Sequence, residues 1–145
     1  MIILDTNIIS ELMKSSPSIK MIDWLNKQDA TQLYITTITI AEISYGLNAL
    51  PPSRKRQMLE DSFNHAIHDA FKHRIVQFTE SAAHVYGKIM AGRKELGRPM
   101  SVLDGQIAAI TLIHTAILAT RNIKDFMECG LDLYNPFFNE CSENI

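Results

Sequence analysis

The chain predicts a single α/β domain, with a central parallel sheet of about four or five short strands flanked by helices on both faces. Three observations lead there. Short apolar runs alternate with segments whose apolar residues recur at helical spacing. The strand-like runs are separated by helix-length stretches rather than tight turns, and such crossovers join parallel strands. Finally, 145 residues with 46% hydrophobic content suit one packed core.

The elements follow in order. Ile2-Ile3-Leu4 reads as a buried strand, and Thr6 or Asn7 is placed to cap a helix through Ile8, Ile9, Leu12 and Met13. Ser15-Ser16-Pro17-Ser18 breaks the chain before Ile19, Ile22, Trp24 and Leu25 resume the helical period. Leu33-Tyr34-Ile35 is a second strand, and Thr36-Thr37 leads into a helix around Ile40, Ile43, Tyr45 and Leu47. Pro51-Pro52-Ser53 ends it and opens a hairpin-forming helix with Met58, Leu59, Phe63, Ile67 and Phe71 on one face. Ile75-Val76 is a third strand; Thr79 caps a helix through Met90, and Gly97-Arg98-Pro99 interrupts it. Ser101 caps a helix through Ile113, Ala116-Ile117-Leu118-Ala119 is a strand, and Leu131 to Tyr134 is the last one. The domain spans residues 1–138, and residues 139–145 read as a polar, frayed tail.

Composition excludes several classes. A formal net charge of −2 provides no global attraction for a polyanion, so such a partner requires a local patch or a metal. Cys129 and Cys141 form neither a disulfide framework nor a zinc motif, which suits a reducing cytoplasm. The start lacks a basic signal-peptide region, and no apolar run approaches the roughly 18 residues of a membrane helix. A soluble cytoplasmic protein is expected.

Asp5 closes the first strand, Glu42 sits in the early turns of the helix after the second, and Asp104 opens the helix at Ser101. In a parallel sheet such positions face the crevice beyond the carboxyl ends of the strands. Carboxylates without His or Cys neighbours select a hard cation, Mg2+ or Mn2+, over zinc or copper. A cation so held suits phosphodiester hydrolysis. Each acid also has a plainer reading: Asp5 as a helix cap, Glu42 as a tolerated surface acid, and Asp104 as a capping-box partner of Ser101.

Leu4-Asp5-Thr6-Asn7, Ala41-Glu42 after a Thr-Thr strand end, Val102-Leu103-Asp104, and Ala119-Thr120-Arg121-Asn122 with Asp125-Phe126 together resemble a PIN-domain ribonuclease, specifically the VapC/FitB toxin branch. The resemblance runs through Asn135-Pro136-Phe137 and covers essentially residues 1–138. It implies a metal-dependent endoribonuclease toxin acting on transfer RNA or other structured RNA, restrained by an antitoxin that itself binds operator DNA, and a homodimer. Asp5, Glu42 and Asp104 match the family's metal positions. Where many relatives carry a further Asp this chain has Asn122, with Asp125 three residues on, so either could complete the site. That substitution also admits a catalytically weak PIN-fold binding protein, and the acids alone admit a DNA nuclease or small phosphatase.

Thr6 and Asn7 are expected to fix the loop after Asp5, and the Thr120 hydroxyl could orient a water or phosphate. Arg93 and Arg98, just before the Asp104 helix, are candidate RNA contacts; Arg54-Lys55-Arg56 and Lys72-His73-Arg74 are weaker ones, since charged faces are usually only solvated. The face of the helix from residue 54 and the Tyr45-Gly46-Leu47 segment could be core or a groove for an antitoxin helix.

Overall fold

Alternation along each strand sends neighbouring side chains to opposite faces of the sheet, and the two faces carry separate cores. The computed structural model describes residues 1–138 and 140–142. The sheet has the order β3-β2-β1-β4-β5-β6. β1 (Ile2–Leu4) lies at the centre between β2 (Leu33–Thr36) and β4 (Ile117–Ala119), with β3 (Ile75–Val76) beyond β2 and β5 (Asp132–Asn135) beyond β4, all parallel. β6 (Glu140–Ser142) runs antiparallel along β5. The tail expected to fray after Phe138 is therefore an edge strand over part of its length; residues 139 and 143–145 lie outside the described residues.

Among the described residues, seven α-helices flank this sheet. Ile3, Leu118 and Leu133 pack under α5 (Glu80–Glu95) and α6 (Val102–Ile113) through Ile89, Ile107 and Ile110. Leu4, Leu33 and Ile35 pack on the other side against α1 (Thr6–Leu12), α2 (Ile19–Asn26), α3 (Thr37–Asn48) and α4 (Arg54–His65) through Ile8, Met21, Ile43 and Phe63. The short α7 (Ile123–Phe126) follows β4. Thr79 and Ser101 cap their helices as the sequence predicts and Thr36 caps α3, each hydroxyl accepting from the amide three residues on. The cap of α1 is Asp5, not Thr6 or Asn7. An aspartate oxygen can take the first free amide without leaving the strand, so the helix begins one residue earlier than expected.

Beyond α4 the chain continues in wider π-type turns over Ala66–Ala70. Met58, expected on the packed face of this helix, is 63% exposed. On the opposite side Gly105 lets α5 and α6 approach closely: a Cβ there would lie 2.4 Å from Met90 Sδ and 2.9 Å from a Tyr86 ring carbon. That contact seats the start of α6, next to Asp104, against α5.

Candidate active site

The strand register builds the site. Leu4 pairs with Ala119, and the Asp5 amide donates to the Ala119 carbonyl at 2.9 Å, so Asp5 and Thr120 leave the sheet side by side. Asp5 is 5% exposed and Thr120 fully buried. Asp5 Oδ1 accepts from the Thr6 amide at 2.8 Å, while Oδ2 accepts from Thr120 Oγ1 at 2.7 Å and Asn7 Nδ2 at 3.2 Å. On the other flank, Thr6 Oγ1 donates to Glu42 Oε1 at 2.9 Å and lies 3.0 Å from Thr39 Oγ1. Thr39 is held in turn through its amide by the Thr36 hydroxyl at 3.1 Å. A continuous polar chain thus runs from the end of β4 through Asp5 and Thr6 to α3.

Asp5, Glu42 and Asp104 line one cleft of about 290 Å³, together with Asn7, Glu11, Lys14, Arg121 and Asn122. Burial pushes the Asp5 carboxyl up from 3.8 to about 6, against the lowering effect of its Thr120 and Thr6 bonds, and the charges of Asp104 and Glu42 add to the rise. Burial also raises Glu42, with Asp104 contributing. Asp104 is raised by burial first and then by Asp125, while Arg93 pulls it down. The acids therefore sense one another across the cleft, and folding has concentrated negative charge there. Among the described residues, no three His, Cys, Asp or Glu side chains are close enough to hold a metal ion directly. The donor set is nonetheless all oxygen, and Mg2+ keeps several waters and needs only one or two direct carboxylates.

The remaining candidates separate. Asn122 lines the cleft, and its amide donates to Thr120 Oγ1 at 3.0 Å; its side chain makes no capping bond to α7. Asp125, one turn on, lines the neighbouring depression and reaches the site through its effect on Asp104. The Thr120 hydroxyl, a candidate to orient a water or phosphate, donates to Asp5, and that of Thr6, expected to fix the loop after Asp5, donates to Glu42. Arg93 is turned inward: 6% exposed, it donates to the carbonyls of Arg98 at 2.7 Å, Asp125 at 3.0 Å and Met127 at 2.8 Å. A guanidinium so buried and bonded ties α5 to the end of α7. Arg98 lies outside the cleft, beside Glu128 at 3.6 Å. Arg56 and Arg74 are likewise committed to the protein, Arg56 to Glu60 and Asn48, and Arg74 to the carbonyls of Leu33 and Ala70.

Sequence reasoning passed over the cations that do face the cleft, Lys14 and Arg121. Neither stands in a basic cluster, and only the fold brings them together. A usable hint was Glu11, an acid amid the apolar period of α1.

The matching family model, PIN domain, spans residues 2–128 of this chain. The chain is a PIN domain. This PIN domain is 36% identical over 137 residues to "VapC ribonuclease Y4jK" of Sinorhizobium fredii, covering 94% of this chain and 98% of that protein. It is 32% identical to "Toxin FitB" of Neisseria gonorrhoeae over 94% of this chain and 99% of the relative. Among solved structures, FitAcB from Neisseria gonorrhoeae superposes with a TM-score of 0.88 at 32% identity, covering 94% of this chain and 99% of that one. VapBC2 from Rickettsia felis, bound to a promoter DNA fragment, matches with a TM-score of 0.72 at 27% identity over 93% and 98% of the two chains. The expected fold and family are borne out. No helix among the described residues is long and apolar enough to cross a membrane.

Proposed function

We propose that this PIN domain is the toxin of a toxin–antitoxin pair, a Mg2+- or Mn2+-dependent endoribonuclease of the cytoplasm that acts on transfer RNA or other structured RNA. One observation carries the reading: acids from the end of β1, from α3 and from α6 share one cleft, where burial and the charge of Asp104 raise Asp5 and Glu42. Relatives called ribonuclease or toxin over nearly their whole length support it. Asp5 and Asp104, with Glu42, would hold the cation, and Asn122 or Asp125 would complete the set. When bound, the ion would supply the charge that lowers the pKa of an attacking water and offsets charge on the phosphoryl oxygens. The protein's own part is positional. Thr120, Asn7 and the Thr6 amide hold the Asp5 carboxylate in one orientation, and Thr6 does the same for Glu42, so neither has to reorganise when the ion arrives. No side chain serves as nucleophile in this scheme.

The antitoxin's place is an apolar groove of about 870 Å³ between α1, α3 and α4, lined by Ile43, Leu47, Leu50, Met58 and Leu59 and edged by Arg54 and Lys55. An amphipathic helix suits such a groove. Operator DNA would be reached only through that partner, a reading that draws on the DNA-bound FitAB and VapBC2 complexes, and the toxin would assemble as a homodimer.

Incubating total RNA with Mn2+ and either wild-type protein or Asp5→Asn tests the nuclease. Cleavage by the wild type alone is expected; equal cleavage by both would sink the reading. Far faster cutting of single-stranded DNA than of any RNA would remove the RNA assignment. A second reading, a PIN-fold protein that binds without cutting, draws on Asn122 and on the spacing of the acids. It predicts no cleavage by the wild type at any metal concentration, with RNA or antitoxin binding retained.

A further inference from the structure

The three acids and the substrate's phosphates carry the same sign, so the cleft needs fixed positive charge. Among the described residues that line it, Lys14 and Arg121 are the only cations. They are held from beneath by one acid. Glu11 is 6% exposed; its Oε2 meets Lys14 Nζ at 2.8 Å and Arg121 Nη2 at 3.0 Å, and its Oε1 accepts from the Ser18 amide at 3.0 Å. Arg121 is fixed twice more. Its guanidinium carbon lies 3.9 Å over the Phe137 ring, and its backbone amide donates to Asn7 Oδ1 at 3.2 Å. One carboxylate under two cations leaves a net positive charge, and 41% of the Arg121 side chain and 58% of that of Lys14 remain exposed.

A surface ion pair is ordinarily only solvated. This one differs because the acid is buried, the arginine is stacked and hydrogen-bonded into the loop that carries Asn122, and both cations open into the acid-lined cleft. The guanidinium, with a single side-chain acceptor among the described residues, keeps donors for a phosphate, and its fork matches two phosphate oxygens. We infer that Arg121, with Lys14, grips the phosphate of the RNA strand lying across the acids, and that Glu11 is the positioning residue that holds both in place. Arg121 touches the substrate; Glu11 acts only through the two cations.

The inference rests on the nuclease reading, and a binding measurement without metal separates the two. A fluorescein-labelled single-stranded RNA is titrated in EDTA with wild type, Arg121→Gln, Lys14→Gln and Glu11→Gln across about 50–200 mM salt. Arg121→Gln should bind roughly tenfold more weakly, as expected for one lost charge-assisted contact, and its log K against log salt slope should fall by about 0.7. Lys14→Gln should lower the slope similarly with a smaller loss of affinity. Arg121→Lys should recover the slope but not the full affinity, because an ammonium keeps the charge and loses the planar fork. Glu11→Gln decides the positioning claim by sign: removing a negative charge from an unorganised surface tightens RNA binding, whereas releasing the two cations does not. Tighter binding by a folded Glu11→Gln overturns Glu11's role. Wild-type affinity and slope in Arg121→Gln overturn the grip and leave the nuclease standing. RNA that does not bind the wild type in EDTA also overturns the grip, while the nuclease reading falls only if the wild type fails to cut RNA with Mn2+.

Discussion

Replacing Asp5 with Asn should make the metal-free protein more stable at neutral pH while abolishing its response to Mn2+. In the folded chain the carboxyl titrates at about 6 instead of 3.8, because burial and the neighbouring charges of Asp104 and Glu42 disfavour its ionised form. At roughly 1.36 kcal/mol per pH unit, that rise amounts to about 3 kcal/mol of destabilisation once the group is ionised. The sign follows from proton counting. Between pH 3.8 and about 6 the folded state binds more protons than the unfolded one, so this group's contribution to stability falls as pH rises and levels off above that window. Asparagine removes the charge and keeps an oxygen for the Thr6 amide. Its amide nitrogen, however, faces Asn7 Nδ2 and reverses the Thr120 bond, which costs about 1–1.5 kcal/mol. The net gain at pH 7.5 is then about 1–2 kcal/mol, or roughly 3–6 °C in Tm for a domain of this size. At pH 4 the advantage should vanish. Thermal melts of both proteins from pH 4 to 8 in EDTA, then with Mn2+, measure this. A variant that is less stable than wild type at pH 7.5 without metal, or that gains as much from Mn2+, would refute the reasoning.

Thr120→Val removes the donor to Asp5 Oδ2, so the Asp5 carboxyl should titrate above 6 by carbon-detected NMR, with about 1–2 kcal/mol lost at neutral pH. Arg93→Met leaves the carbonyls of Arg98, Asp125 and Met127 without their donor and should cost about 2–4 kcal/mol in urea unfolding. Arg98→Ala, which removes only an exposed pair, should stay within about 1 kcal/mol of wild type; equal losses in the two variants would contradict the burial argument. Gly105→Ala drives a methyl into Met90 and Tyr86 and should destabilise by about 1–3 kcal/mol, with Tm as the readout; a neutral result would mean that α5 and α6 can move apart freely.

Much of the architecture was legible because it depends on local chemistry. Short apolar runs, hydroxyl caps at Thr79 and Ser101, and proline breaks are each readable within a few residues, and each reappears in the fold. The edge strand after Phe138 was not legible, since a polar segment pairs there through its backbone with β5 and no side-chain pattern announces it. Asp5 as the cap of α1 was weighed only as a rival to metal ligation; the geometry lets one carboxylate take the amide through Oδ1 and present its other oxygen to Thr120. Where the basic residues point was not legible either. Arg93 and Arg98 precede Asp104 closely in sequence, but α5 turns Arg93 into the protein and leaves Arg98 outside the cleft.

By itself the sequence determined the α/β class and the succession of strands and helices, and it singled out Asp5, Glu42 and Asp104, which the fold brings to one cleft, because an acid at the end of an apolar strand or in an early helical turn is a local anomaly. Tertiary structure alone decided which groups face those acids. The parallel register sets Thr120 beside Asp5, Glu11 of α1 meets Arg121 just beyond β4, and the buried Arg93 donates to carbonyls. Such partnerships join residues more than a hundred positions apart in the case of Asp5 with Thr120, and no periodicity along one chain encodes them.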